Sequence, residues 1–493
     1  MSRPLTVLYA TSEVSPYSKT GGLADVAAAL PDALARLGCD VRVVSPLYGK
    51  LMDARFRTRP VDGDPFDLMI GGRQQPFALR EADRAGGGVR ALFVDHPAYY
   101  GRPSIYVDPD TGCDYVDSDE RYAFMARGVC EWIRGGDWRP DIIHLNDWQT
   151  APTAAFLRML RLLNPALDGI RTILTIHNLA YQGVFAAARF GVLGLPPELY
   201  YPGSPFEFKG RMGFLKAGLV TADRLNTVSP TYATEIQQSA KFGLGLEDIF
   251  RRRRDDLTGI LNGIDEDVWD PGRDPLIPHH YTVADLSGKA ANKNALCRRC
   301  GIPDERSDKP LVGMITRLVD QKGIGLLEQA AHRLFELDFN FIVLGTGEAR
   351  YHALFAEWTR RFASRFQAYL TFDETLAHQI EAGADMFLMP SRYEPCGLNQ
   401  MYSLRYGTVP IVRATGGLKD TVRDYDHDPV AGNGFVFPRY SVSSLLDALA
   451  RALTVFKTSD RWAALQRRGM TADFSWERSA RTYLKLYEAA LGS

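Results

Sequence analysis

Apolar residues fall into short runs: Leu5 to Ala10, Val41 to Ser45, then the apolar parts of Asp141 to Trp148, Thr172 to Asn178 and Asp223 to Pro230. The second half repeats the habit in Leu311 to Thr316, Phe341 to Leu344, Ala368 to Phe372, Met386 to Met389 and Val409 to Arg413. Several of the intervening stretches carry apolar residues at helical spacing, as Leu23, Val26, Ala27, Leu30 and Leu34 do. Runs this short and continuous suit strands buried on both faces, and strand alternating with helix predicts parallel sheets. The expected fold class is therefore α/β, with two doubly wound, Rossmann-like domains facing each other across a cleft. A turn signal at Asn262-Gly263 starts a new organisation, so the boundary is expected near residue 255, giving domains 1–255 and 256–493. The amphipathic stretch from Ser475 to Tyr487 is expected to brace the first domain.

The chain is organised around Met389 to Leu404. An apolar run stops at Pro390, and after Gly397 the residues Leu398, Met401 and Leu404 recur at helical spacing, which predicts strand, tight turn and helix. Such a turn aims backbone N–H groups and the positive end of a helix at one point, which suits a phosphate. Glu394 beside it would be repelled by that phosphate, so it suits sugar hydroxyls or a cationic carbon. Arg317 and Lys322 follow the 311–316 strand, just before a glycine and a helix, where two cations can neutralise a departing diphosphate.

The first half carries a matching set. Lys19 precedes Gly21-Gly22 at the opening of a helix, and glycines there let a ligand approach the backbone. Asp147 and His177 follow two further apolar runs, at the strand ends where α/β sheets bind ligands. Tyr99, Tyr100, Tyr106 and Tyr115 read mainly as loop packing, with Tyr106 singled out as a sugar platform. The run Arg251 to Arg254 reads as solvated, since adjacent charges cannot all face one site.

Composition narrows the partners. Lys+Arg 58 against Asp+Glu 59 leaves a net charge of −1, so nothing favours nucleic acid or an anionic membrane, and an anionic ligand has to be met locally. No run of apolar residues reaches membrane-spanning length and no signal peptide is evident, so a cytoplasmic protein is expected. Six scattered cysteines suit a reducing compartment, and Cys297-Arg-Arg-Cys300 lacks further ligands for zinc and reads as two thiols on a helix surface.

The motifs K-T-G-G-L-A-D at 19–25, T-I-H-N-L-A-Y-Q-G at 175–183, S-P-T-Y at 229–232, L-N-G-I-D at 261–265, S-R-Y-E-P-C-G-L at 391–398, T-G-G-L-K-D at 415–420 and D-F-S-W at 473–476 run in order along the chain. This set closely resembles bacterial glycogen synthases and plant starch synthases. The resemblance implies a GT-B fold and retaining transfer of glucose from ADP-glucose to the non-reducing 4-OH of an α-1,4-glucan, with ADP-glucose as substrate, no cofactor and no metal. It implies that Lys19, Gly21 and Gly22 contact the nucleotide sugar from the first, acceptor-side domain and that Arg317 and Lys322 hold the diphosphate. His177 and Asp147 would address glucose, Glu394 would lie near its 3-OH, Gly397, Leu398, Thr415 and Gly416 would complete the phosphate and sugar loops, and Phe372 would stack on adenine.

Two departures stand out. Gln149 takes the place of the last His in the family's H-D-W-H or N-D-W-H pattern, and Tyr402 stands eight positions after Glu394, where many retaining GT-B enzymes carry a second Glu for ribose. Two rival readings stay open: a GT-B enzyme using a UDP-sugar and a small acceptor, and a non-catalytic glucan- or nucleotide-binding relative. A dinucleotide oxidoreductase is disfavoured because no first-strand turn has the G-x-G-x-x-G form.

Overall fold

The computed structural model describes residues 3–52, 56–61, 65–82 and 89–492. The chain divides into two compact units. The first comprises Met1–Val228, Ala233–Gly263 and Trp476–Ser493; the second comprises Ser229–Tyr232 and Ile264–Ser475.

In the first unit the apolar runs become parallel strands: β1 (Thr6–Ala10), β2 (Asp40–Pro46), β3 (Arg90–Asp95), β4 (Ile142–Asn146), β5 (Arg171–Ile176), β6 (Arg224–Thr227) and β7 (Leu257–Gly259). They lie in the order β7-β6-β5-β4-β1-β2-β3, and the antiparallel strands Thr58–Pro60, Phe66–Ile70 and Arg73–Ala82 extend the β3 edge. Because β7 pairs with β6, this unit continues past residue 255 to Gly263. Helix α1 (Gly22–Arg36) buries Val26, Ala27, Leu30 and Leu34 against the sheet, as its spacing predicts.

The second unit holds a six-stranded, wholly parallel sheet of β8 (Leu311–Ile315), β9 (Asn340–Leu344), β10 (Phe366–Tyr369), β11 (Met386–Met389), β12 (Val409–Arg413) and β13 (Phe435–Phe437), ordered β10-β9-β8-β11-β12-β13. The S-P-T-Y segment is part of this unit: the Asp420 carboxylate accepts from Ser229 Oγ and Thr231 Oγ1, each at 2.6 Å.

The final helix, α2 (Trp476–Leu491), returns to the first unit and shares a core with α1 through Trp476, Ala480, Tyr483, Leu486 and Tyr487. Polar hooks reinforce that packing, since Tyr487 Oη lies 2.6 Å from His144 Nδ1 and Tyr483 Oη donates to Asn226 Oδ1 at 2.9 Å. Burial pushes His144 down to about 3, so it stays neutral and needs no counter-charge.

One expectation fails, and another fails at a single residue, because a helix-like string does not reveal which side faces inward. Cys297 and Cys300 are buried against Leu296, Ile302 and Leu311, and burial raises both thiols, Cys297 to about 11, which makes them unreactive. Arg251, Arg252 and Arg254 are exposed as expected, but the Arg253 guanidinium donates to the carbonyls of Leu219 and Ala222 at 2.8 and 2.7 Å and to the Asp256 carboxylate. It closes the carbonyl end of the preceding helix, Phe214–Thr221.

The second unit also buries charge away from the strand ends. Glu381 is fully buried, with Oε2 accepting from Ser403 Oγ at 2.7 Å, and Lys289 Nζ donates to Thr408 Oγ1 at 2.7 Å and Ala382 O at 3.1 Å. Burial lifts the Glu381 carboxyl to about 8 and lowers Lys289 to about 7. A carboxyl raised on folding holds its proton in the native state after the unfolded chain has lost it, so stability falls as pH rises from the ordinary carboxylate range. Glu381→Gln should therefore gain stability relative to wild type between pH 5 and 7, by up to about 1.4 kcal/mol per pH unit. Unfolding midpoints of the two proteins across that range check this, and a pH-independent difference would count against it.

Candidate functional site

Each sheet has one point where strand order reverses, between β1 and β4 in the first unit and between β8 and β11 in the second. Crossovers leave such a pair of strands in opposite directions, so a crevice opens at their carboxyl ends. The residues singled out in the sequence lie on the turns leaving these strands and their neighbours.

In the first unit, Asp147 begins the turn after β4 with φ +56°, a left-handed conformation that Asp tolerates better than most side chains. Its Oδ1 accepts the backbone N–H of His177 at 2.7 Å, which clasps the β4 turn to the β5 turn. Burial pushes the Asp147 carboxyl up to about 7, against the opposing pull of the N–H groups of His177 and Asn178. The His177 ring is lowered to about 3 by burial and is neutral, with Nε2 2.9 Å from Asn146 Oδ1.

The Lys19 turn is built by a residue the sequence reading passed over. Buried Glu13 accepts from Thr20 N and Thr20 Oγ1, both at 2.7 Å, and burial raises its carboxyl. Its signal was available, because Glu13 is the one charged residue between Thr11 and Ser18. Lys19 itself is exposed and paired with Asp25 at 2.7 Å. Gly21 is ordinary extended backbone, and a Cβ there would meet nothing closer than Glu13 Oε1 at 3.9 Å. The packing around position 21 therefore does not itself require glycine. Tyr106 joins the same region through Ser12 Oγ at 2.7 Å, whereas Tyr99 and Tyr100 are buried packing groups.

In the second unit the turns after β8, β11 and β12 interlock. Lys322 Nζ lies 2.6 Å from Glu394 Oε2, and Ser391 Oγ donates to the same oxygen at 2.9 Å. Arg392 N–H donates to Gln321 O at 2.8 Å, which joins the two turns through their backbones. Arg413 Nε donates to Ser391 O at 2.6 Å from beneath, and Gln400 Nε2 reaches both Gly397 O, at 3.0 Å, and Thr421 Oγ1, at 3.2 Å. Thr415 stands just before a six-residue helix beginning at Gly416. Here glycine is required, since φ is +43° and a Cβ would stand 1.9 Å from Glu394 O. Gly397 is also left-handed, at φ +74°, and Leu398 leads into a helix of only seven residues, Asn399–Arg405. Helices this short add little macrodipole, so any phosphate affinity of these turns rests on their individual N–H groups and on Lys322.

Arg317 is exposed on the turn after β8, and Phe372 stands 84% exposed beyond β10 at the same carboxyl edge of the sheet. A phenylalanine so uncovered is available for stacking. The Tyr402 ring stacks on Trp269 with centroids 3.8 Å apart, and Trp269 stacks in turn on His378 at 3.9 Å. Among the described residues no group of three or more His, Cys, Asp or Glu side chains is placed to hold a metal ion, and no helix is long and apolar enough to cross a membrane.

The family profile of the starch synthase catalytic domain matches residues 6–252, and that of glycosyl transferases group 1 matches residues 301–468. A glycogen synthase of Anaeromyxobacter sp. (strain Fw109-5) is 47% identical over 492 residues, covering 98% of this chain and 99% of the relative. The chain belongs to the glycogen and starch synthase family.

A glycogen synthase of Koribacter versatilis (strain Ellin345) is 44% identical, with 98% of each chain covered. The solved catalytic domain of starch synthase IV from Arabidopsis thaliana, bound to ADP and acarbose, superimposes with a TM-score of 0.89 at 35% identity over the whole of both chains. Sucrose-phosphate synthase from Thermosynechococcus elongatus shares the fold, with a TM-score of 0.59 at 17% identity and 99% of each chain covered. This glycogen synthase family member is thus a GT-B glycosyltransferase, and its activity is that of a glycogen or starch synthase.

The carboxyl at 147 ties pH to the clasp within the first unit. Its hydrogen bond from His177 N–H is charge-assisted only when Asp147 is ionised, that is, above about pH 7. Glucan synthesis should therefore rise between pH 6 and 8 in wild type. Asp147→Asn keeps an acceptor oxygen and tolerates the left-handed backbone but does not titrate, so it should lose this rise and about tenfold in kcat/KM at pH 8. Superimposable pH profiles for the two proteins would refute the link.

Proposed function

We propose that this glycogen synthase transfers glucose from ADP-glucose to the non-reducing 4-OH of an α-1,4-glucan with retention of configuration, using neither metal nor prosthetic group. The observation that carries the reading is the Lys322–Glu394 pair, set among three interlocked turns at the strand-order reversal of the second unit. ADP and acarbose, a nucleotide and an oligosaccharide, are bound by the similar starch synthase IV domain, which supports the donor and acceptor classes.

In this reading Lys322 and Arg317 meet the diphosphate, with N–H groups of the 397–398 and 415–416 turns completing its cradle. Both polar contacts of the Glu394 carboxylate fall on Oε2, which leaves Oε1 to accept a glucose hydroxyl. Phe372 stacks on adenine, Lys19 with the Gly21-Gly22 backbone addresses the nucleotide sugar, and His177 and Asp147 serve the glucose. The bond from C1 to the phosphate oxygen breaks as the acceptor O4 forms its bond to C1 on the same face. The O4 proton passes to the departing phosphate oxygen, so the products are ADP and a glucan longer by one residue. Charge grows on that phosphate in the transition state, where a preplaced ammonium is most effective.

Incorporation of labelled glucose from ADP-glucose and from UDP-glucose, each offered to glycogen and to a small sugar acceptor, tests the reading. Preference for ADP-glucose with glycogen is expected; preference for UDP-glucose with the small acceptor, or binding without turnover, would overturn it. Lys322→Ala should lower kcat by about 10²-fold with a smaller change in donor KM. A pure KM effect in a variant with an unchanged unfolding midpoint would remove Lys322 from the transition state.

A further inference from the structure

Asn146, the last residue of β4, is fully buried and makes more contacts than a strand residue needs. Its side-chain Nδ2 donates to Ala10 O at 2.9 Å. The amide oxygen faces the Tyr9 hydroxyl and His177 Nε2, each at 2.9 Å. The orientation of the amide is dictated, because reversing it would set Oδ1 against the Ala10 carbonyl oxygen inside the protein, leaving two acceptors facing each other with no donor between them. Oδ1 can only accept, so both Tyr9 Oη and His177 Nε2 must donate to it. A neutral imidazole carries one N–H, and placing it on Nε2 leaves a lone pair on Nδ1.

We propose that Asn146 is a positioning residue that locks His177 in its neutral Nε2–H tautomer, so that His177 meets the substrate as a hydrogen-bond acceptor at Nδ1, taking a hydrogen bond from a sugar hydroxyl. This rests on the glucosyl-transfer reading for the identity of the hydroxyl, but the tautomer follows from the protein alone. The sequence leaves the ring free to donate or accept; the amide removes the choice. An acceptor suits a glucose hydroxyl, and it keeps a second positive charge away from a carbon that becomes cationic.

The groups around the ring agree with a neutral imidazole. Asp147 is bound through Oδ1 to the backbone N–H of His177, with its carboxyl raised by burial, and Tyr9 is a neutral phenol on β1. His144, two residues before Asn146 on β4, is itself held neutral by burial, and Glu13 on the β1 turn lies close enough to raise Asp147 further.

The test uses the full-length protein labelled with ¹⁵N-histidine, the His177 signals being assigned by their loss in His177→Gln. In wild type, long-range ¹H–¹⁵N spectra should show the Nε2–H tautomer with no titration between pH 5 and 8.5. Asn146→Asp places an ionisable carboxylate against Nε2, and it should make His177 titrate within that range. Glucan synthesis by the variant should then fail, at least tenfold, at the acidic end and recover as the ring loses its second proton. A wild-type Nδ1–H tautomer or a mixture overturns the proposal, as does an unaltered activity profile in a variant whose His177 demonstrably titrates. Because the wild-type spectrum needs no turnover, the correct tautomer in a protein that fails the donor assay would overturn the glucosyl-transfer reading and leave the lock intact.

Discussion

The reversal of strand order in each parallel sheet is the constraint on which the rest depends. A strand inside such a sheet is covered on both faces and paired on both edges, so its polar backbone is already satisfied. Only the turns at its carboxyl end have uncommitted N–H and C=O groups, and only at the reversal do two such turns diverge and leave room. In the first unit this selects the turns after β1 and β4, and in the second those after β8 and β11. Glu13, Lys19 and Asp147 lie on the first pair and Lys322 and Glu394 on the second, so their chemistry is gathered by topology before any side chain is considered.

The two units hold their turns by different means. In the second unit the side-chain contacts of Lys322 and Arg413 are backed by backbone meeting backbone, with Arg392 N–H on Gln321 O and the Gly416 turn pressed against Glu394 O. At Gly416 the close approach is steric and admits no side chain. In the first unit carboxylates do the holding, Glu13 for the Thr20 turn and Asp147 for the His177 turn. Both acids are raised by burial, because a charge clasping amides in a dry place is costly unless every oxygen is satisfied. Proton uptake therefore reaches the turns of the first unit.

Buried polar groups also explain where the last helix belongs. Its apolar stripe would cover any hydrophobic surface, but Tyr483 and Tyr487 need partners for their hydroxyls, and Asn226 and His144 supply them on the first sheet. Trp269 does the equivalent service in the second unit, where its flanking rings absorb Tyr402 and His378 into packing.

The sequence by itself determined the alternation of strand and helix, the turns that carry Lys19, Asp147, His177, Arg317, Lys322 and Glu394, and the family to which they belong. Periodicity and turn chemistry are local, and an ordered set of motifs can be read without coordinates. Only the tertiary structure decided that Cys297 and Cys300 face inward, that Arg253 closes a helix, that Tyr402 belongs to a stack and that Gly416 is obligatory while Gly21 is not. It alone brought the Asn146 amide oxygen within 2.9 Å of His177 Nε2. Each of these depends on atoms brought together from distant parts of the chain, and burial, which sets the charge state of Asp147 and His177, is a property of that assembly.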